Sequence, residues 1–135
     1  MLQSDSILLG SMPLCDLLLM NDSRYPWFVL VPRREGLQEL VDMSSEDQQL
    51  LLSESGDLSR LLLDVFKADK LNVAMLGNIV PQLHIHHIAR YRTDSTWPRP
   101  TWGVFEMTPY SEEELQERVQ KARSHQWDNK VEWKI

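Results

Sequence analysis

Three of the chain's four histidines fall within Gln82-Leu83-His84-Ile85-His86-His87-Ile88-Ala89-Arg90. On an extended strand alternate side chains share a face, so Gln82, His84 and His86 project together while Leu83, Ile85 and His87 point to the other side. Neighbours on one face stand about 6.6 Å apart along the backbone, close enough for two imidazoles to converge on one tetrahedral centre. A neutral imidazole, with an ordinary pKa of about 6.5, is a nucleophile near neutral pH and can attack phosphorus directly. The product is a phosphoramidate on one ring nitrogen, provided that the other nitrogen is hydrogen-bonded so that the attacking lone pair faces the substrate. A second histidine two residues away can hold the phosphoryl oxygens or assist the departing group.

Two plainer readings compete. Histidines on a half-buried strand also serve as hydrogen-bonded structural residues. His-X-His on a strand also supplies two zinc ligands, but a zinc site needs a third. The sequence places no cysteine or acidic partner beside the pair, Gln82 is a poor zinc ligand, and His87 faces away. No protein-held metal and no cofactor are therefore expected.

The elements that must position these residues follow from patterning. Cys15 to Met20 and Trp27 to Val31 are short apolar runs separated by Asn21-Asp22-Ser23-Arg24-Tyr25-Pro26, a turn-forming segment, and read as paired antiparallel strands. Ile7 to Leu9 adds a shorter edge strand. Ser45 with Gln48 fits a capping box, and apolar residues at helical spacing predict a long helix over Ser45 to Lys67. Leu71 to Leu76 and Leu83 to Arg90, joined across Gly77-Asn78, predict a second strand pair. From Tyr91 to Pro109, prolines mixed with Trp97, Trp102 and Phe105 predict an irregular aromatic loop. Ser111 and Glu114 form another capping box, opening a charged helix with a narrow stripe of Leu115, Val119 and Ala122. Trp127 and Trp133 predict that the tail packs on the sheet or on a second subunit. The expected fold class is α+β, a mainly antiparallel sheet of about five strands with one long helix and a C-terminal helix.

The chain's 135 residues predict one domain over 1–135. With 42% hydrophobic and 25% charged residues, the composition is that of a globular domain and excludes disordered or fibrous classes. Fourteen Lys and Arg against twenty Asp and Glu give a net charge of −6, which argues against nucleic acid as a partner, so any nucleotide must be held locally. Cys15 is the only cysteine and suits a reducing compartment. No run approaches the roughly 18 apolar residues of a membrane span. Ser6 to Met20 carries Asp16 and lacks a basic flank, unlike a signal peptide. A cytoplasmic location, away from membranes, is expected.

The segment Gln82-Leu83-His84-Ile85-His86-His87-Ile88 resembles the signature of the histidine triad (HIT) superfamily, His-φ-His-φ-His-φ-φ with φ apolar. Upstream, Leu17-Leu18-Leu19-Met20-Asn21 and Trp27-Phe28-Val29-Leu30-Val31-Pro32 look like that family's paired strands at the nucleoside pocket, so the resemblance covers roughly Leu17 to Arg90. It implies a HIT-like fold and a hydrolase or transferase cutting a nucleotide conjugate at its α-phosphate. A dinucleoside polyphosphate such as a diadenosine polyphosphate, a nucleotide sugar or a nucleoside phosphoramidate would be the substrate. It further implies that His84 is the nucleophile, that His86 contacts the phosphate with Gln82 orienting the group, and that Asn78 lies against the α-phosphate. Asn21 and Asp22 fall where relatives bind ribose hydroxyls, and a homodimer is implied. The sequence departs from the pattern where Gln82 replaces the first histidine and where Trp27 stands five residues before Pro32, a position often held by histidine. Trp27 is a candidate nucleotide contact, stacking on a base, or a space-filler. Both departures also fit a nucleotide-binding or adaptor protein with little turnover.

Overall fold

A computed structural model describes residues 5–103 and 106–135; Phe105, part of the expected aromatic loop, lies outside them. Six strands form one antiparallel sheet: β1 (Ser6–Ser11), β2 (Cys15–Met20), β3 (Trp27–Pro32), β4 (Lys70–Ala74), β5 (Ile85–Arg90) and β6 (Glu132–Trp133), in the order β4-β5-β3-β2-β1-β6. Two helices, α1 (Ser45–Arg60) and α2 (Glu112–Ser124), complete the α+β class that the patterning predicts. The strand beyond the expected five is β6, two residues long and therefore without a readable period. It pairs with Gly10 and Ser11. A Cβ on Gly10 would sit 2.5 Å from the Glu132 carbonyl oxygen, so the close approach of β6 requires glycine there.

The long helix begins at Ser45 as expected, but its cap is one residue earlier than the expected Ser45. Ser44, rather than Ser45, accepts the Asp47 N–H, while the Gln48 amide donates to the Met43 carbonyl. Its far end, expected to run evenly to Lys67, widens into a π turn over Leu61–Val65 and stops at Lys67 in the left-handed region, φ 56°. The second cap is as predicted, with Ser111 and Glu114 exchanging both hydrogen bonds.

Four successive residues of β3, Trp27 to Leu30, are buried, because both faces of the sheet are covered. One face packs Phe28 and Leu30 against Leu51, Leu58, Leu61 and Leu62 of the α1 segment. The other gathers Met20, Tyr25, Trp27, Val29 and Ile88, with Trp102 and Met107 against them. The register opposes Phe28 to His87 and Val29 to His86. His87 therefore faces α1, whereas His86 shares the second face with Trp27.

Arg90 ends β5 and anchors the irregular loop after it. Its side chain is 2% exposed and pairs with Asp94, 5% exposed, at 2.9 Å. It also donates to Asn72 and Thr96, and its guanidinium lies over the Tyr25 and Trp97 rings. Asp94 in turn accepts the N–H groups of Tyr91, Thr96 and Trp97. Burial alone would push its carboxyl up, but the Arg90 guanidinium and these N–H donors hold it down at about 2. A carboxyl depressed on folding stabilises the protein above its unfolded pKa of about 3.9. That stability is lost as pH falls through about 2. Replacing Asp94 by Ala strands a buried guanidinium, so Asp94→Ala should destabilise the fold by about 3–5 kcal/mol, measured by urea denaturation at neutral pH. The difference from wild type should shrink below pH 4, and a loss under about 1 kcal/mol would contradict this account of the loop.

Candidate functional site

Regular strand geometry begins only at Ile85, so Gln82 and His84 precede β5 rather than belonging to it. The cause is local: the Leu83 N–H donates to the Leu37 carbonyl instead of to a neighbouring strand. His84 and His86 nevertheless come together, with ring centroids 5.0 Å apart and planes at 77°. Both border a cavity of about 360 Å³ that is also lined by Asn78, Met20, Asp5 and Trp102.

Each ring has its tautomer set by a group that acts in one direction only. His84 Nδ1 lies 2.6 Å from the Gln82 carbonyl oxygen. A carbonyl can only accept, so Nδ1 carries the proton and Nε2 keeps its lone pair in the neutral ring. On His86 the order is reversed: the Trp27 indole N–H donates to Nδ1 at 3.0 Å. Neutral His86 must then carry its proton on Nε2. Among the described residues, the pair thus joins one imidazole with a free ring lone pair to another with a free ring N–H. Burial, and then the neighbouring His84 and His87 rings, push the His86 pKa down to about 4, which keeps it a neutral donor at physiological pH.

The remaining sequence-predicted residues are placed differently. The Gln82 amide turns to the carbonyl oxygens of Pro32 and Arg34, at 3.5 and 3.3 Å. It ties the end of β3 to the approach to β5, and only its backbone carbonyl serves the histidines. Trp27 is buried and is neither a cavity wall nor filler alone, since it positions His86. Asn21 accepts the Tyr110 N–H. Asp22 is fully buried, bound to Arg24 through both carboxylate oxygens. It also accepts the Arg24 N–H at 3.2 Å and the Thr108 N–H at 3.4 Å. Both side chains hold the chain around 108–110 against the β2–β3 turn, and neither borders the cavity. His87 sits behind the sheet, its Nδ1–H donating to Ile85 and its Nε2 accepting from Ser55 at 2.7 Å.

Trp102 lies in the Trp97–Trp102 loop, which by sequence could cover the site or a dimer interface, with packing the safer expectation; it is a wall of the site. Its ring stands 5.5 Å from His86 and 6.0 Å from Trp27, edge-on to both. Among the described residues its indole N–H is buried with no acceptor. The only signal in the sequence was an aromatic in a loop following the histidine segment.

The sequence model of the HIT domain matches residues 1–93. The chain belongs to the HIT domain family. This HIT protein is similar over nearly its whole length to solved histidine triad proteins. That of Marinobacter aquaeolei VT8 is 48% identical, covering 91% of this chain and 90% of its own, with a TM-score of 0.89. That of Bradyrhizobium japonicum is 42% identical, covering 93% of each chain, again with a TM-score of 0.89. A histidine triad protein of Sinorhizobium meliloti 1021 is 38% identical over 92% of each chain. No curated protein matches the chain. HIT proteins bind nucleotide substrates, and the family includes nucleotide hydrolases and transferases as well as members that are not catalytic.

A histidine depressed on folding stabilises the protein above its unfolded pKa of about 6.5. That stability is lost as pH falls toward the folded value, here about 4 for both His86 and the buried His87. For this HIT protein, nitrogen NMR should show His86 as a single neutral tautomer with its proton on Nε2, gaining charge only near pH 4. Trp27→Phe should leave His86 exchanging between tautomers. A fixed tautomer in that variant would mean that the indole does not set it.

Proposed function

We propose that this protein cleaves a nucleotide conjugate at its α-phosphate through a covalent nucleotidyl intermediate on His84. The observation that carries the reading is the bond from His84 Nδ1–H to the Gln82 carbonyl, which leaves Nε2 as the lone pair presented to a bound phosphorus. His86 Nε2–H, fixed by Trp27, donates to a non-bridging phosphoryl oxygen and stabilises the charge that gathers there in the transition state. Asn78, which also lines the cavity, supplies a second polar contact to the phosphate. Water then attacks the same phosphorus and returns the ring. Substrate classes that fit are a dinucleoside polyphosphate such as a diadenosine polyphosphate, a nucleotide sugar, and a nucleotide bearing another departing group. Asn21 and Asp22, committed to the protein's own backbone and Arg24, support the ribose pocket by holding its turn.

A homodimer belongs to the same proposal. β4 is an edge strand, and near it Val73, Met75, Leu76, Ile79 and, on α1, Leu52 expose apolar surface, Leu52 by 75% and Ile79 by 79%. An unpaired edge beside apolar side chains is what a second copy would cover. Leu76 and Ile79 also line the histidine cavity, so the second copy would border the site. The buried lone thiol of Cys15 supports a reducing, cytoplasmic setting.

Brief mixing with diadenosine tetraphosphate, acid quench and tryptic mass analysis should place a nucleotidyl mass on His84. His84→Ala should lose the adduct and at least about a thousandfold in turnover. Equal rates in the two proteins would remove His84 as nucleophile, and tight binding with neither adduct nor product would mark a nucleotide-binding adaptor instead. Sedimentation should give twice the chain mass of 15.8 kDa. Leu52→Glu should reduce it to the single-chain value, and a wild-type protein that sediments as one chain would refute the dimer.

A further inference from the structure

His86 is unusual in what stands behind it. The indole N–H on its Nδ1 has no lone pair with which to take a proton in exchange, unlike a histidine or carboxylate in the same place. Gln82 has turned its amide to the Pro32 and Arg34 carbonyls, and an amide neither gives nor takes a proton near neutral pH. The proton on His84 Nδ1 is committed to a peptide carbonyl. His87 lies on the other face of the sheet, occupied by Ser55 and Ile85. Asp5 borders the cavity, where a carboxylate offers an acceptor. His86 can therefore lend a hydrogen bond, but a proton given up at Nε2 is not replaced through the ring. Burial also holds the ring's pKa at about 4, so the imidazolium form is scarce at neutral pH.

We infer that this site selects substrates by the acidity of the group they expel: it cleaves nucleotide anhydrides, whose phosphate or carboxylate departs as an anion, and is poor on nucleotide phosphoramidates, whose amine must be protonated to leave. The inference rests on His84 being the nucleophile, as proposed above. In the first step the Nε2 lone pair forms a bond to phosphorus as the bond from phosphorus to the departing oxygen breaks. That oxygen keeps the electron pair and leaves as the anion. The ring becomes cationic, its Nδ1 proton still shared with the Gln82 carbonyl. In the second step a water oxygen bonds to phosphorus, the N–P electron pair returns to the ring, and the water proton passes to solvent. No proton reaches the departing group in either step. An amine would have to leave as a high-energy amide anion, without the about 10²–10⁴-fold that a positioned general acid supplies.

The test compares AMP conjugates on the full chain by kcat/KM: diadenosine tetraphosphate, a series of aryl esters graded by the acidity of the phenol, and an alkylamine phosphoramidate. The anhydride should be cleaved at least about 100-fold faster than the phosphoramidate, and the aryl-ester rates should fall steeply as the phenol becomes less acidic. Trp27→His, which restores a ring able to exchange protons with His86, should raise phosphoramidate cleavage relative to anhydride cleavage by more than about tenfold. The wild-type series decides the matter if that variant does not fold. Asp5→Asn should leave the ratio of the two rates unchanged; a ratio that moves toward the anhydride would identify Asp5 as a proton source and overturn the inference. Phosphoramidate cleavage as fast as anhydride cleavage, with nucleotidyl mass on His84, overturns the inference alone. Absence of both turnover and adduct overturns the nucleophile assignment and this inference with it.

Discussion

A peptide carbonyl only accepts a hydrogen bond and an indole N–H only donates one. In this protein those two one-way groups sit behind adjacent imidazoles and give them opposite tautomers. Had both rings been backed by two-way groups such as hydroxyls or other imidazoles, each would populate both tautomers, and the cavity would face a mixture of lone pairs and N–H groups. Instead one ring offers an electron pair and its neighbour a proton donor, 5.0 Å apart between centroids. That division of labour requires no charge on either side chain, which suits a buried setting where an unpaired ion would be costly.

The rest of the fold serves to keep those two groups still. Trp27 is fixed by its place on β3, whose register with β5 sets it diagonally across from His86. The Gln82 carbonyl is fixed by the Leu83 N–H on one side and by the Gln82 amide on the other, both reaching carbonyls in the segment that follows β3 and at its end. Trp102 closes the remaining side because the Arg90–Asp94 pair shapes the loop that carries it. A long-range ion pair at the surface would do this poorly, since solvent screens it. Buried with several N–H donors attached, the same pair makes a rigid corner.

Much of this was legible in the residues and some was not. Strands β2 and β3, both main helices and the second capping box follow from apolar period and cap chemistry, signals carried within a few residues of chain. The convergence of His84 and His86 was legible from their spacing, even though His84 lies outside the regular strand. What stayed hidden depends on partners distant in sequence. Asn21 and Asp22 look like pocket residues until the segment near Thr108 arrives to occupy them. Gln82 reads as a substitute for a reactive histidine until its amide is seen to face two carbonyls fifty residues back in the chain. Trp27 offers both an aromatic face and a donor, and only the register across to β5 decides which of them matters. β6 was too short for any periodic signal, but Trp127 and Trp133 rightly pointed to a tail packed on the sheet, and Gly10, whose missing side chain admits it, is a second hint.

The two borders of the sheet are unlike. On one side β6 lies along β1 with Arg123 donating to the Ile135 carbonyl just beyond it, so that margin carries a two-residue stub held down by a helix. On the other, β4 has a full row of outward backbone groups. A sheet with one blunted margin can be lengthened only once, by an identical sheet meeting it in the opposite sense about a two-fold axis. In the proposed dimer, growth would therefore terminate after a single joining, with the tail that Trp127 and Trp133 mark in the residue pattern covering the other margin.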